Sequence, residues 1–102
     1  MIEILDADLH THLKARMAQR GITKQEIERV LNEGWNAKDA KSGTIGKVFV
    51  FQYNREWQGE VFKEKEVSVY YKLINDSIAL LTVKARYGQG FSREGGTNEV
   101  RI

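Results

Sequence analysis

The sequence predicts an α+β fold in which two N-terminal helices pack on one face of a three- to four-stranded antiparallel sheet. Two observations carry this prediction. Apolar residues recur at helical spacing in the first third of the chain, and after Gly34 the period changes to two, with β-branched and aromatic residues dominating three segments. Because a sheet buries its apolar side only against another layer, we expect the helices to cover one of its faces.

The first helix is predicted over residues 8–20. Its apolar side chains fall at i, i+4 and i+8, which places Leu9, Leu13 and Met17 on one stripe. Asp8 stands where an N-cap residue would, and the glycine that follows the helix is typical of a C-terminal cap. We therefore expect a helix with one buried stripe.

The second helix is predicted over residues 24–33. Thr23 and Glu26 have the spacing of a capping box, and apolar residues follow at helical spacing before Gly34 ends the pattern. Only three residues, 21–23, separate the two predicted helices, so the chain must turn sharply and the helices must pack as a pair.

Three strands are predicted, over residues 47–53, 66–73 and 78–86. The short polar turn at 75–77 predicts a hairpin between the last two. Residues 35–39 are interpreted as a further strand and the charged residues 55–66 as the end of a long hairpin.

Length and composition predict a single domain over residues 1–90. A chain of 102 residues has room for one hydrophobic core, and its composition, 41% hydrophobic and 29% charged, is that of an ordinary globular protein. The glycine-rich, polar residues 91–102 are predicted to be a flexible C-terminal tail.

Charge and cysteine content narrow the class of protein. The net charge of +2 is too small to indicate nucleic-acid binding by itself. The absence of cysteine excludes disulfides, thiolate metal sites and thiol catalysis, and it fits a reducing compartment. With neither a signal peptide nor an apolar run of about 18 residues, we expect a cytoplasmic protein that does not contact the membrane.

One row of polar side chains on the first helix is a candidate site. His12, Arg16 and Arg20 recur at i, i+4 and i+8 beside the apolar stripe, where titratable groups can face a cleft. Long side chains that merely cover the border of a core have the same spacing. His10 and His12 lie on different sides of a helix, so we predict neither a metal site nor a cofactor.

A second candidate lies on the predicted strands. Lys72, Lys84 and Arg86, with Tyr70 and Tyr87 nearby, could line a groove in which tyrosine stacks on RNA bases while cations hold phosphates. The alternative is a solvated strand face without a ligand.

Residues 12–23 carry a resemblance to a known family. They read His, then Arg and Met at i+4 and i+5, then Arg-Gly-Ile and Thr, which resembles the opening of an uncharacterised family of small domains. The resemblance covers most of residues 10–90 and continues through residues 25–31, 64–71, 81–83 and 87–88. This family is similar to the BrnT and RelE toxins, small ribonucleases of toxin–antitoxin modules.

The resemblance implies an endoribonuclease toxin with its RNA site on the concave sheet face, neutralised by an antitoxin protein. Cleavage would need no metal, because the RNA's own 2′-hydroxyl attacks the neighbouring phosphate with the help of a base, a cation and an acid. The catalytic residues implied are His12 as base or acid, Arg16 as phosphate clamp, and Lys65 and Lys84 as further positive charge. The RNA-binding residues implied are Arg20, Lys72, Arg86 and Tyr87.

Two other functions fit the same fold. One is a non-catalytic module that binds RNA or a protein through the exposed sheet. The other is a structural domain that dimerises through Trp57, Phe62 and the charged hairpin.

Overall fold

The computed structural model describes residues 2–91 and the backbone of residues 99–101, and it confirms the predicted α+β class. Two helices are followed by an antiparallel sheet whose strands lie in chain order, β1-β2-β3-β4-β5. The elements are α1 (Thr11–Arg20), α2 (Lys24–Glu33), β1 (Trp35–Asn36), β2 (Ile45–Trp57), β3 (Glu60–Ile74), β4 (Ser77–Gln89) and β5 (Glu99–Arg101).

The start of α1 differs from the prediction. Asp8 is not its N-cap, because residues 6–8 form a turn of 3₁₀-helix in which the Asp8 carboxylate accepts a hydrogen bond from the Leu5 N–H at 2.8 Å. The N-cap is His10, whose Nδ1 accepts from the Leu13 N–H at 3.3 Å. The imidazole thus replaces the usual short polar cap.

The second helix is confirmed with both of its predicted ends. The Thr23 hydroxyl accepts from the Glu26 N–H, and the Glu26 carboxylate accepts from the Thr23 N–H, as a capping box requires. Among the described residues, neither helix is long and apolar enough to cross a membrane.

Two tight turns join the three long strands. The β2–β3 turn at Gln58–Gly59 and the β3–β4 turn at Asn75–Asp76 both place two consecutive residues at positive φ, as in type I′ hairpins. The hairpin predicted at 75–77 is confirmed. The prediction of a strand over 35–39 is wrong beyond Asn36, since β1 has only two residues.

The core lies between the helices and one face of the sheet. α1 packs on β4, and α2 packs on β2 and β3. A bulge in β4 leaves Leu81 without a partner on β3, so that Leu80 and Val83 both reach the core despite their odd spacing. The buried cluster consists of Ile4, Leu13, Ile22, Ile27, Val30, Leu31, Val67, Val69, Tyr71, Leu80 and Val83.

The predicted flexible tail, residues 91–102, falls mostly on residues outside this description. Phe91 is described and buried, and its N–H donates to the Glu64 carboxylate at 3.1 Å. The backbone of β5 pairs with residues 87–89 of β4.

Candidate functional site

The two faces of the sheet have different chemistry. Along β3, Val67 and Val69 point into the helix-covered core. The alternate residues, Glu66, Ser68 and Tyr70, point to the opposite face, because successive side chains of a strand alternate. We call this second side of the sheet the open face.

The open face holds a cleft of about 360 Å³ between residues 35–39 and strands β3 and β4. Its lining includes three cations and two carboxylates, so charges of both signs share one small space. The residues that line this open-face cleft are Trp35, Asn36, Ala37, Lys38, Asp39, Val48, Glu66, Ser68, Tyr70, Lys84, Ala85 and Arg86.

Three side chains of the cleft form a hydrogen-bonded network. The Tyr70 hydroxyl donates to Asp39 Oδ1 at 2.7 Å, and Lys84 Nζ donates to Asp39 Oδ2 at 3.4 Å. The Lys84 ammonium also lies 5.1 Å from the centre of the Tyr70 ring, within the range of a cation–π contact. Acid, phenol and ammonium are thus held against one another at the mouth of the cleft.

The network separates the pKa values of its members. The Tyr70 hydrogen bond and then the Lys84 charge hold the pKa of Asp39 below its usual value, although partial burial acts in the opposite direction. Burial, followed by the hydrogen bond to Asp39, raises the pKa of Tyr70 to about 12. At neutral pH the cleft therefore presents a carboxylate and an un-ionised phenol.

A second ion pair lies beside this network. Arg86 Nε donates to Glu66 Oε1 at 2.7 Å, and this hydrogen bond raises the pKa of Arg86 above its usual value. The Glu66 side chain is 10% exposed, whereas the Arg86 side chain is 35% exposed and its guanidinium also lies over the Phe91 ring at 5.0 Å. The guanidinium keeps donors other than Nε with which to bind an anion.

Gly46 makes room for the Tyr70 ring. Gly46 lies opposite Tyr70 on β2, and a Cβ built on it would come within 2.9 Å of Tyr70 Cε1 and 2.8 Å of Ala37 Cβ. Such distances are too short for real Cβ contacts, so a side chain at this position would force Tyr70, Ala37 or both to shift.

Of the residues predicted from the sequence, Lys84 and Arg86 lie in the open-face cleft together with Tyr70. Lys72 is exposed further along β3 and does not line the cleft. The groove predicted from the strand cations is therefore formed in part.

Lys65 and Tyr87 lie on the helix side of the sheet instead. Lys65 is 1% exposed, and its ammonium donates to both Glu26 carboxylate oxygens, at 2.8 and 3.0 Å, and to the Gly21 carbonyl. Tyr87 is buried against the Trp57 ring at 5.0 Å between centroids. Neither side chain has access to a ligand on the open face.

Arg20 is also engaged in holding the fold together. Its guanidinium donates to the Val83 carbonyl, and its own carbonyl accepts from the Tyr87 hydroxyl at 2.7 Å. Together with the Lys65 contact to Gly21, these bonds tie the α1–α2 turn to the sheet. The Arg-Gly-Ile stretch that carries the resemblance thus has a structural role in this chain.

His12 and Arg16 lie on the surface of α1, outside the open-face cleft. The exposed His12 ring stacks on His10, with 6.2 Å between centroids, and Arg16 donates to Gln19 Oε1 at 3.0 Å. The structure therefore does not bring the His12 row together with Lys84, because the sheet separates them.

Two further expectations concern aromatic residues. Trp57 and Phe62, proposed above as dimer contacts, both pack on Tyr87 within the chain.

Sequence reasoning missed the cleft residues Trp35, Asp39 and Glu66. The alternation of Glu66 with buried valines indicates that Glu66 faces away from the core, so this residue could have been found. The position of Asp39 follows only from the fold.

Replacing Tyr70 by phenylalanine is expected to raise the pKa of Asp39, because its largest stabilising partner is removed. The contribution of a carboxyl with a lowered pKa to stability is present above its unfolded pKa and is lost as the pH falls through the folded value. The loss of folding stability that Asp39 causes at acid pH should therefore be smaller in the variant. A carboxyl-detected NMR titration measures the shift, and an unchanged Asp39 titration would show that the hydrogen bond does not act as described.

The fold and cleft define the chain as a small α+β domain with a polar, mixed-charge site on the side of its sheet that lies opposite the helices. The model of the family "Domain of unknown function (DUF4258)" matches residues 9–84, and the chain belongs to this family. This confirms the expected membership of an uncharacterised domain family. No curated protein and no solved structure matches the chain.

Proposed function

We propose that the protein is a metal-independent endoribonuclease whose RNA site is the open-face cleft. One observation carries the proposal: the cleft places the cations Lys84 and Arg86 beside the phenol of Tyr70 and the carboxylate of Asp39. It lies on the sheet face opposite the helices, and the resemblance to the BrnT and RelE toxins implies an RNA site on the concave face of the sheet. A cation, an acid and a base are the groups that this reaction needs.

The chemistry can be assigned to these groups. The Asp39 carboxylate accepts the proton of the 2′-hydroxyl while the 2′-oxygen bonds to phosphorus, and Lys84 and Arg86 stabilise the charge that grows on the phosphate oxygens. The bond from phosphorus to the 5′-oxygen breaks, and this oxygen takes the proton of the Tyr70 hydroxyl. The Asp39–Tyr70 hydrogen bond then returns a proton to the phenolate. The products are a 2′,3′-cyclic phosphate and a 5′-hydroxyl.

This assignment moves the reaction away from α1. The roles that the resemblance implied for His12 and Arg16 pass to Asp39, Tyr70 and Lys84, and Lys65 becomes a structural residue. The same resemblance implies an antitoxin. We therefore include in the proposal an antitoxin-type protein that neutralises this one.

The proposal is tested by incubating the purified protein with single-stranded RNA in the presence of EDTA. We expect cleavage to fall about 100-fold or more in Lys84→Ala and in Tyr70→Phe, since single groups in such sites contribute factors of this size. His12→Ala and Arg16→Ala are the matched controls from the other side of the sheet and should cleave like the wild type. An equal, background level of RNA cleavage in the wild type and all variants would contradict the nuclease proposal.

A second candidate function is RNA binding without cleavage by the same cleft. It is favoured by the two ion pairs, Lys84 with Asp39 and Arg86 with Glu66, which hold both carboxylates of the cleft against two of its three cations. It predicts saturable binding of RNA that Lys84→Ala weakens, with intact RNA recovered after long incubation.

A further inference from the structure

The two ion pairs of the open-face cleft differ in how firmly they are held. Lys84 Nζ lies 3.4 Å from Asp39 Oδ2, and both side chains are more than half exposed. Ion pairs of this kind contribute little to stability, because water and salt screen them and both side chains keep other conformations. Lys84 can therefore leave Asp39 for another anion at little cost.

Arg86 is held more firmly. Its Nε donates to Glu66 Oε1 at 2.7 Å, and the Glu66 side chain is only 10% exposed. A buried carboxylate that lost this partner would be left without its counter-charge, which is unfavourable. Glu66 and Arg86 are also directly paired on β3 and β4, so the backbone sets the distance between them. We therefore expect this ion pair to stay closed when an anion binds.

A second contact, with the ring of Phe91, holds the same guanidinium. Cζ of Arg86 lies 5.0 Å from the centre of this ring, within the range of a cation–π contact. Phe91 is itself 9% exposed, and its N–H donates to the Glu64 carboxylate at 3.1 Å. Glu64 and Glu66 are alternate residues of β3, so one strand anchors both contacts of Arg86.

The outer part of the guanidinium can bind a ligand. Arg86 lines the open-face cleft, and its side chain is 35% exposed. Among the residues that the structure describes, none accepts a hydrogen bond from its two Nη groups. Guanidinium groups present their donors in a planar fork that fits two phosphate oxygens. With Nε committed to Glu66, the two Nη groups can bind one phosphate together.

We propose that Glu66 is a positioning residue, which fixes the guanidinium of Arg86 with Phe91 as the second support, and that Arg86 rather than Lys84 is the fixed anchor for a phosphate of the RNA. A side chain that is ordered before binding loses less conformational entropy when the ligand arrives. This inference rests on the proposed function for the ligand's being RNA. It adds the roles of Glu66 and Phe91 and distinguishes the two cations of β4.

Substitutions at Glu66 separate the position of its carboxylate from its charge. Glu66→Asp keeps the charge, but its shorter side chain draws the carboxylate away from Nε of Arg86. We expect it to weaken binding of a labelled single-stranded substrate analogue with 2′-deoxy nucleotides about 2- to 10-fold, the factor for immobilising one flexible side chain. Glu66→Gln is the matched control, because it keeps an acceptor oxygen at the original reach without the charge. It should bind the analogue as tightly as the wild type or more tightly, as measured by fluorescence anisotropy.

A double variant distinguishes positioning from damage to the fold. In an Arg86→Met background, Glu66→Asp should leave the affinity for the same analogue unchanged, because Glu66 acts through Arg86. Wild-type affinity in Glu66→Asp, or an equal loss with and without Arg86, would overturn this inference while leaving the proposed function standing. Failure of the wild type to bind any single-stranded RNA or analogue would contradict both.

NMR of the wild-type protein keeps the inference testable even if a substituted protein fails to fold. The Nε–H of Arg86 should exchange with water more slowly than that of Arg55, which is exposed, because Glu66 accepts its hydrogen bond. Its signal should also persist when the analogue binds. An Arg86 Nε–H that exchanges as fast as that of Arg55 would show that the guanidinium is not fixed, and this would overturn the inference.

Discussion

Replacing Lys65 by methionine is expected to lower the free energy of unfolding by about 3 to 5 kcal/mol, the usual cost of removing one partner from a buried ion pair. The Lys65 side chain is 1% exposed, and its ammonium donates to both carboxylate oxygens of Glu26, whose side chain is 15% exposed. Methionine fills most of the space of the lysine but leaves the carboxylate without its counter-charge. Urea denaturation followed by circular dichroism measures the loss.

The control for this prediction is the double variant Lys65→Met with Glu26→Gln. Glutamine keeps an oxygen that can accept from the Thr23 N–H in the capping box, and it removes the uncompensated charge. We expect the double variant to recover a large part of the stability that the single variant loses. A single variant as stable as the wild type would show that Lys65 does not tie the α1–α2 turn to the sheet.

Replacing Gly21 by alanine is expected to destabilise the fold by about 3 kcal/mol. Gly21 has φ +68°, where a residue with a Cβ carries a cost of about 1 to 2 kcal/mol. In addition, its Cβ would lie 2.5 Å from Cζ3 of Trp57 and 2.8 Å from the Tyr87 hydroxyl. Overpacking of this kind adds about 1 to 3 kcal/mol. The midpoint of thermal or urea unfolding reports the change.

Gly43→Ala is the matched control for the steric part of that cost. Gly43 has φ +83°, but nothing lies within 4 Å of the Cβ position. Its substitution should therefore cost only the backbone strain, about 1 to 2 kcal/mol. If both alanine variants lost the same free energy of unfolding, the close packing of Trp57 and Tyr87 on Gly21 would add nothing to the cost of the substitution.

The fold could be predicted because its signals are local. The Thr23–Glu26 capping box and the Asn75–Asp76 turn involve neighbouring residues, and both were read correctly. The predicted start of α1 was wrong because Asp8 and His10 both have a side chain able to cap a helix. In the structure the Asp8 carboxylate is engaged with the Leu5 N–H, whereas the His10 ring is held by a hydrogen bond between its Nε2 and the Leu80 carbonyl. The bulge at Leu81 likewise depends on how β4 pairs with β3, which the sequence of one segment alone does not determine.

The candidate site could be predicted only in part, because it depends on the register of the strands. Lys84, Arg86 and Tyr70 were grouped from residue type and alternation, and they share the open-face cleft. Lys65 has the same charge and directly precedes the predicted strand 66–73. On β3 it alternates in phase with the core residues Val67 and Val69, which sends it to the helix side and into contact with Glu26. Residue type therefore could not separate a cleft lysine from a structural one.

NMR mapping of the RNA-bound surface tests the central claim most directly. Uniformly ¹⁵N-labelled protein is titrated with a short single-stranded RNA, using a substrate analogue with 2′-deoxy nucleotides so that no cleavage occurs. The account predicts that the amides of Ser68, Tyr70, Lys84 and Arg86 shift with saturation, while those around His12 and Arg16 stay in place. Shifts confined to α1, with the strand residues of the open face unchanged, would contradict it.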